Sequence, residues 1–179
     1  MTAAEKTAVV LDTTVLSNYA ISESVTWLTD SHGSLWTVPA VQTELERGIE
    51  LGYDGLAPAV RAISEGEINV DTDAPDRLGE TYTSIRTTID RGEAEALVAV
   101  LESDGTAVLA TDDQAARDVA REYDTPVTGS LGLLADGVTT GEVSIETADS
   151  WLDSWKTDGN YIAPVDSITE ALSSGDDSS

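Results

Sequence analysis

An α/β fold, with a central parallel sheet and helices on both of its faces, is what this sequence predicts, on three grounds. Two runs, Thr7-Ala-Val-Val-Leu-Asp12 and Thr106-Ala-Val-Leu-Ala-Thr-Asp112, are apolar without alternation and end in a carboxylate. Unbroken apolarity over so short a run marks a strand buried on both faces, as parallel strands are. Segments with helical periodicity stand between the runs, and strands alternating with helices build crossover units rather than hairpins. The length, 179 residues, suits one domain by the prior of roughly 100–200 residues each. A chain of that size buries about 70% of its unfolded surface and needs no staples.

Taken in order, residues 1–7 read as a polar extension and residues 8–172 as the single domain. Leu35-Trp-Thr-Val-Pro39 is short enough for a flanking strand. The spacing predicts a helix over 40–51, on which Val41, Leu45 and, less regularly, Ile49 and Leu51 share a side. Residues 66–91, rich in Thr and Asp, are expected to carry a mobile loop or an added helix hairpin. Residues 93–102 are helix formers closed by Asp104-Gly105. Residues 113–123 form an amphipathic helix opened by acids that suit its first turn. Thr125-Pro-Val-Thr-Gly129 gives another flanking strand, and a helix begins at Leu131-Gly-Leu-Leu, where Ser130 is a natural cap. Trp151 and Trp155, at i and i+4, pack against the core or a dimer partner. The end, Ser173-Ser-Gly-Asp-Asp-Ser-Ser179, reads as a disordered tail.

Composition excludes several function classes. With 34 Asp and Glu against 9 Lys and Arg, the formal charge is −25, so neither a basic nucleic-acid sheath nor a polybasic membrane anchor is present. There are no cysteines, hence no disulfide, no thiolate nucleophile and no Cys-based zinc site. No apolar run approaches a membrane span, and the start lacks the features of a secretory signal, so a cytoplasmic protein is expected. The acids are spread along the chain rather than gathered in a tail. A uniformly acidic surface fits a very salty cytoplasm, where at molar salt the Debye length falls to about 3 Å and self-repulsion is screened. The composition is halophilic, most like that of salt-loving archaea.

With 34 acids in 179 residues, carboxylate patterns arise by chance, so position is the useful test. Asp12 and Asp112 end strands expected to be buried, where an uncompensated carboxylate is expensive. Both would lie beyond the carboxyl ends of the strands, where such sheets place their ligand sites. A metal would supply the missing positive charge, and Mg²⁺ or Mn²⁺ favours oxygen ligands with waters and substrate phosphates. Further ligands stand on helices: Glu44 and either Glu93 or Glu95, which lie about 200° apart round one helix and do not easily face the same site. Glu46, Glu50 and Glu95 otherwise read as solvated surface.

The motifs resemble those of a known family. Leu11-Asp-Thr-Thr-Val-Leu-Ser-Asn18 is similar to the opening motif of PIN-domain nucleases, and Val38-Pro-Ala-Val-Gln-Thr-Glu44 to their second, in which a helical Glu is a ligand. Gly92-Glu-Ala-Glu-Ala-Leu97, Ala110-Thr-Asp-Asp-Gln-Ala-Ala-Arg-Asp-Val-Ala120 and Val127-Thr-Gly-Ser-Leu-Gly-Leu-Leu134 follow in order. That trio resembles a PIN subgroup known as predicted nucleic-acid-binding proteins, relatives of VapC-type toxins. Thr14 departs from the Asn or Ser many relatives carry there, and Gly-Glu-Ala-Glu from the single Asp of many PIN toxins.

The resemblance implies a three-layer α/β/α PIN-like fold and Mg²⁺- or Mn²⁺-dependent cleavage of RNA. It places Asp12, Glu44, Glu93 and Asp112 on the acidic ligand positions and Asp113 on a second acid of the subgroup; of Glu93 and Glu95 we favour Glu93. It further implies a toxin silenced by a small antitoxin protein, and a homodimer. Thr13, Thr111 and Ser130 are candidate supports or phosphate contacts. Arg117 is placed to bind an RNA phosphate or pair with Asp113, and Arg47, Arg86 and Arg91 are further RNA contacts or surface ion pairs. Trp27, Trp36, Trp151 and Trp155 are candidates for base stacking, and His32 is expected to take no part. Phosphoryl-transfer folds that also place Asp after the first strand need a Lys late in the sheet, which Lys6 and Lys156 do not supply. The remaining rival is a non-catalytic PIN-fold module that binds nucleic acid or protein.

Overall fold

The computed structural model describes residues 7–175. Five parallel strands form one sheet: β1 (Ala8–Leu11), β2 (Leu35–Thr37), β3 (Asn69–Val70), β4 (Ala107–Ala110) and β5 (Val127–Thr128). Ten α-helices among the described residues flank it: α1 (Thr13–Ile21), α2 (Val25–Ser31), α3 (Pro39–Glu50), α4 (Ala57–Ser64), α5 (Ala74–Glu80), α6 (Arg91–Leu101), α7 (Gln114–Glu122), α8 (Ser130–Thr139), α9 (Ile145–Asp158) and α10 (Ile168–Gly175). The result is the three-layer α/β/α arrangement expected of the PIN-like fold.

The strand order β3-β2-β1-β4-β5 decides where a site can be. The chain moves outward from β1 through β2 to β3, then returns to β1's other side for β4 and β5. The crevice beyond the carboxyl ends of β1 and β4 is therefore the topological switch point, the place where open α/β sheets bind ligands. Val9, Val10 and Leu11 are buried, as are Ala107, Leu109 and Ala110, which is why these strands read as unbroken apolar runs. Their register pairs Leu11 with Ala110, so Asp12 and Thr111 leave the sheet side by side.

Several expectations need correction. Residues 66–91 form no helix hairpin: they hold β3, the single helix α5 and a 3-10 turn at Ile85–Thr87. Ala74, Leu78 and Ile85 are buried there, and Arg77 pairs with Asp71. Two-residue β3 is too short to show a pattern. Leu51 does not join the buried side of α3; the helix ends at Glu50 and Leu51 is 72% exposed. Helix α10 runs to Gly175, so the tail expected from Ser173 starts within a helix in which the Ser173 and Ser174 hydroxyls donate to Thr169 O and Glu170 O. The rest of that tail, and all of the N-terminal extension but Thr7, lies outside the described residues.

The tryptophan pair packs inside the chain. Trp155 is fully buried, its Nε1 donating to Ser22 Oγ at 3.0 Å and its ring edge-on to Tyr19 at 5.1 Å. Trp151 stacks at a tilt on Trp27, 5.5 Å between centroids. Among the described residues no helix is long and apolar enough to cross a membrane.

Candidate active site

Leaving β1, the chain turns at Asp12 straight into α1, whose N-cap it is. Its Oδ1 accepts from the Val15 amide at 2.9 Å and the Thr14 hydroxyl at 2.8 Å, and its Oδ2 from the Thr111 hydroxyl. The side chain is 1% exposed. Burial pushes its carboxyl up to about 6, outweighing the hydrogen bonds from Thr111, Val15 and Thr14, with Asp112 adding repulsion. Neutral donors alone do not compensate a buried charge.

Asp112 leaves β4 in the same way. Its Oδ1 accepts from the Ser130 amide at 2.8 Å; its Oδ2 accepts from the Ser130 hydroxyl at 2.5 Å and from Asn18 Nδ2 at 3.1 Å. Asn18 also donates to Ser130 Oγ at 3.0 Å. Ser130 is thus not the cap of α8, a place taken by Gly129; it holds a carboxylate. A Cβ on Gly129 would lie 2.2 Å from Arg117 Nη2 and 2.6 Å from Asp112 Oδ1, so only glycine lets these groups meet there. Asp113 caps α7 through the Ala116 amide at 2.8 Å, and its own N–H donates to Thr111 Oγ1 at 3.2 Å.

The helical acids close the ring. Thr13 donates its hydroxyl to Glu44 Oε2, tying α1 to α3. A Cβ on Gly92 would stand 2.9 Å from Glu44 Oε1 and 3.3 Å from Val41 Cγ2, so glycine there lets the start of α6 lie against α3. Glu93 follows, half-buried, with its carboxyl pushed up to about 7, by burial first and then by Asp113, Asp12 and Asp90. Charge interactions thus tie Asp12 to Asp112, and Glu93 to Asp12 and Asp113, at this crevice, and Thr13 brings Glu44 to its edge.

Glu95 has another place. It is fully buried, not solvated surface as expected, because α3 covers the side of α6 that faces away from Glu93. Its Oε2 accepts from the Ala40 amide in the first turn of α3 at 2.9 Å, and its Oε1 from Arg91 Nε at 2.9 Å. Glu95 fastens α3 to α6, the helices that carry Glu44 and Glu93. Glu46 and Glu50 are exposed as expected. Arg117 does not pair with Asp113; its Nε donates to Thr111 O at 3.0 Å. Arg47 and Arg86 are exposed and make no ion pair among the described residues. His32 lies edge-on to Trp27, away from the carboxylates.

Two residues that sequence reasoning did not place in the site belong to it. Asn18 ends the first motif, where its reach to Asp112 depends on a contact 94 residues away in sequence. Tyr161 follows α9 through Asn160, which takes the left-handed backbone at φ 55°. Burial, then Asp112, pushes its phenol up to about 12.

The charge balance defines what this crevice can hold. The ion pairs among the described residues are Arg77–Asp71, Arg91–Glu95 and Arg121–Asp118, and none touches the five acids. No three His, Asp or Glu side chains stand in metal-holding geometry among the described residues. The donor chemistry still fits a hard divalent cation: all oxygen, none of it in an ion pair among the described residues, with Asp12 raised by burial and then by Asp112, and Glu93 by burial and then by Asp113, Asp12 and Asp90. Mg²⁺ in particular keeps several waters and takes only one or two protein carboxylates directly.

No curated protein matches this sequence. The PIN-domain family model matches residues 8–175, a span that contains all five strands and every carboxylate of the crevice, and the chain belongs to the PIN-domain family.

Proposed function

We propose that the protein is a metal-dependent endoribonuclease that hydrolyses RNA phosphodiester bonds, acting as the toxin of a toxin–antitoxin pair. The observation that carries this reading is a group of five carboxylates, none of them in an ion pair among the described residues, at the sheet's switch point. PIN domains are generally nucleases and usually use divalent metals, and the order of the five motifs supports kinship with VapC-type toxins.

Asp12, Glu44, Glu93 and Asp112 would hold Mg²⁺ or Mn²⁺, with Asp113 beside them. When bound, such an ion lowers the pKa of water toward neutrality and stabilises charge on the phosphoryl oxygens. The chain's own groups keep the ligands in place: Thr111 and Thr14 restrain Asp12, Ser130 and Asn18 restrain Asp112, and Thr13 restrains Glu44. Asp112, after β4, or Asp113, the N-cap of α7, would orient the attacking water. Glu95 sets the spacing of α3 and α6. The proposed partners are RNA, a small antitoxin and a second copy of the chain. Exposed acids such as Glu46 and Glu50 suit a salty, archaeal cytoplasm where screening lets RNA approach.

The test is cleavage of single-stranded RNA at molar KCl with Mn²⁺. Wild-type protein cleaves and EDTA stops it; Asp12→Asn loses more than the roughly 10–100-fold that an outer-shell change costs. Persistent cleavage by pure Asp12→Asn protein overturns the site.

A further inference from the structure

Asp112 and Tyr161 line two recesses at once. One, of about 360 Å³, contains Thr13, Asn18 and Asp113. The other is an open groove of about 950 Å³ that leads away from the carboxylates, between the first turn of α8 and the chain after α9. Gly129 and Gly132 line it, and the Arg117, Asp112 and Thr128 side chains pack where their Cβ atoms would stand. Arg117 is the only cation lining it among the described residues, and its guanidinium is fixed by Thr111 O yet makes no ion pair. Tyr161 lines the same groove. It is held edge-on to Trp155, 5.7 Å between centroids, while its backbone N–H donates to Trp155 O at 3.0 Å.

We propose that this groove binds single-stranded RNA on one side of the cleaved bond, with a base stacked on Tyr161 and the adjoining phosphate on Arg117. The inference rests on the nuclease reading for its direction, because a polymer cut at Asp112 must continue past it, and the groove and the carboxylate recess share that residue. A rigid aromatic face beside a guanidinium is the pairing that holds unpaired nucleic acid with little regard to sequence. In a chain of charge −25, a cation left unpaired beside the site is where a phosphate finds attraction.

Fluorescence anisotropy of a labelled single-stranded RNA tests this, with Asp12→Asn protein in EDTA at fixed KCl so that nothing is cut. Tyr161→Ala in that background weakens binding about 5- to 150-fold, the span of one stacked base, and Tyr161→Phe restores it. Arg117→Gln weakens binding and lowers the salt slope by about one phosphate. Unchanged binding by Tyr161→Ala and Arg117→Gln overturns the proposal, as a groove made for a polypeptide would give. Equal loss by Tyr161→Phe and Tyr161→Ala also overturns it. A deoxy oligonucleotide bound as tightly as RNA overturns the assignment to RNA. Cleavage is read separately with Mn²⁺ on wild-type protein. Asp12-dependent cleavage with Tyr161-independent binding removes the groove and keeps the nuclease; Tyr161-dependent binding without cleavage does the reverse.

Discussion

Asp12 and Glu95 are both buried carboxylates, and their surroundings are opposites. In the seam between α3 and α6, Glu95 receives the Ala40 amide on one oxygen and the Arg91 guanidinium on the other, so protein alone completes it. At the ends of β1 and β4, Asp12 receives one amide and two hydroxyls, no cation, and faces Asp112 and Glu93. Depth of burial does not separate the two. Counter-charge does. The first region is finished when the chain folds, whereas in the second no ion pair reaches Asp12 and burial favours its protonated form.

The sharpest way to break this contrast is to remove each acid. Glu95→Ala leaves the Ala40 amide and Arg91 without their partner and is expected to cost about 1–3 kcal/mol, lowering Tm by several degrees. Asp12→Asn removes an uncompensated charge while Asn still serves as an N-cap, so Tm without metal stays level or rises. Thermal denaturation in EDTA measures both, and a Tm loss for Asp12→Asn as large as that for Glu95→Ala ends the distinction.

That distinction also marks how far the sequence could be read. β1, β4 and α7 were legible because burial on two faces, or on one helical stripe, leaves its own period in the residue order. Asp12 and Asp112 stood out because they end such runs. The helical period placed Glu93 and Glu95 on different sides of α6, which holds, yet it carries no information on what covers the second side; α3 does. Tyr161 was illegible for a related reason. It reaches Asp112 through a left-handed turn at Asn160 and through packing on Trp155, neither of which has a local signature.

Titration sharpens the same contrast on a smaller scale. The carboxyls of Asp12 and Glu93 are raised to about 6 and about 7 from ordinary values of 3.8 and 4.5. In metal-free protein the native state therefore holds protons that the unfolded chain has lost, and these two groups destabilise the fold progressively as pH rises from about 4 to about 7. A cation that needs both ionised reverses the sign, so the Tm gain from Mn²⁺ grows over the same range. The difference between wild type and Asp12→Asn with Glu93→Gln, scanned from pH 4 to 8, isolates the pair from the acidic surface. A flat difference would falsify the coupling.

The smallest effect is expected at Gly92, where the two regions touch. Gly92→Ala gains about 0.5–1 kcal/mol of helix propensity, but its Cβ crowds Glu44 Oε1 and Val41 Cγ2. Stability is held or slightly raised while Mn²⁺ affinity, followed by the Mn²⁺-dependent Tm shift, falls several-fold. Unchanged affinity would detach Glu44 from the site.

The strand order has a consequence for the birth of the molecule. Asp12 emerges from the ribosome early, yet its partner Thr111 lies 99 positions later, Asn18 waits 112 for Ser130, and Ser22 waits 133 for Trp155. Translation at roughly 5–20 residues per second therefore makes a chain that cannot assemble its carboxylate crevice until Thr111 and Ser130 have been synthesised. If the protein cuts RNA as proposed, the site stays incomplete for as long as the chain up to Ser130 is still being made.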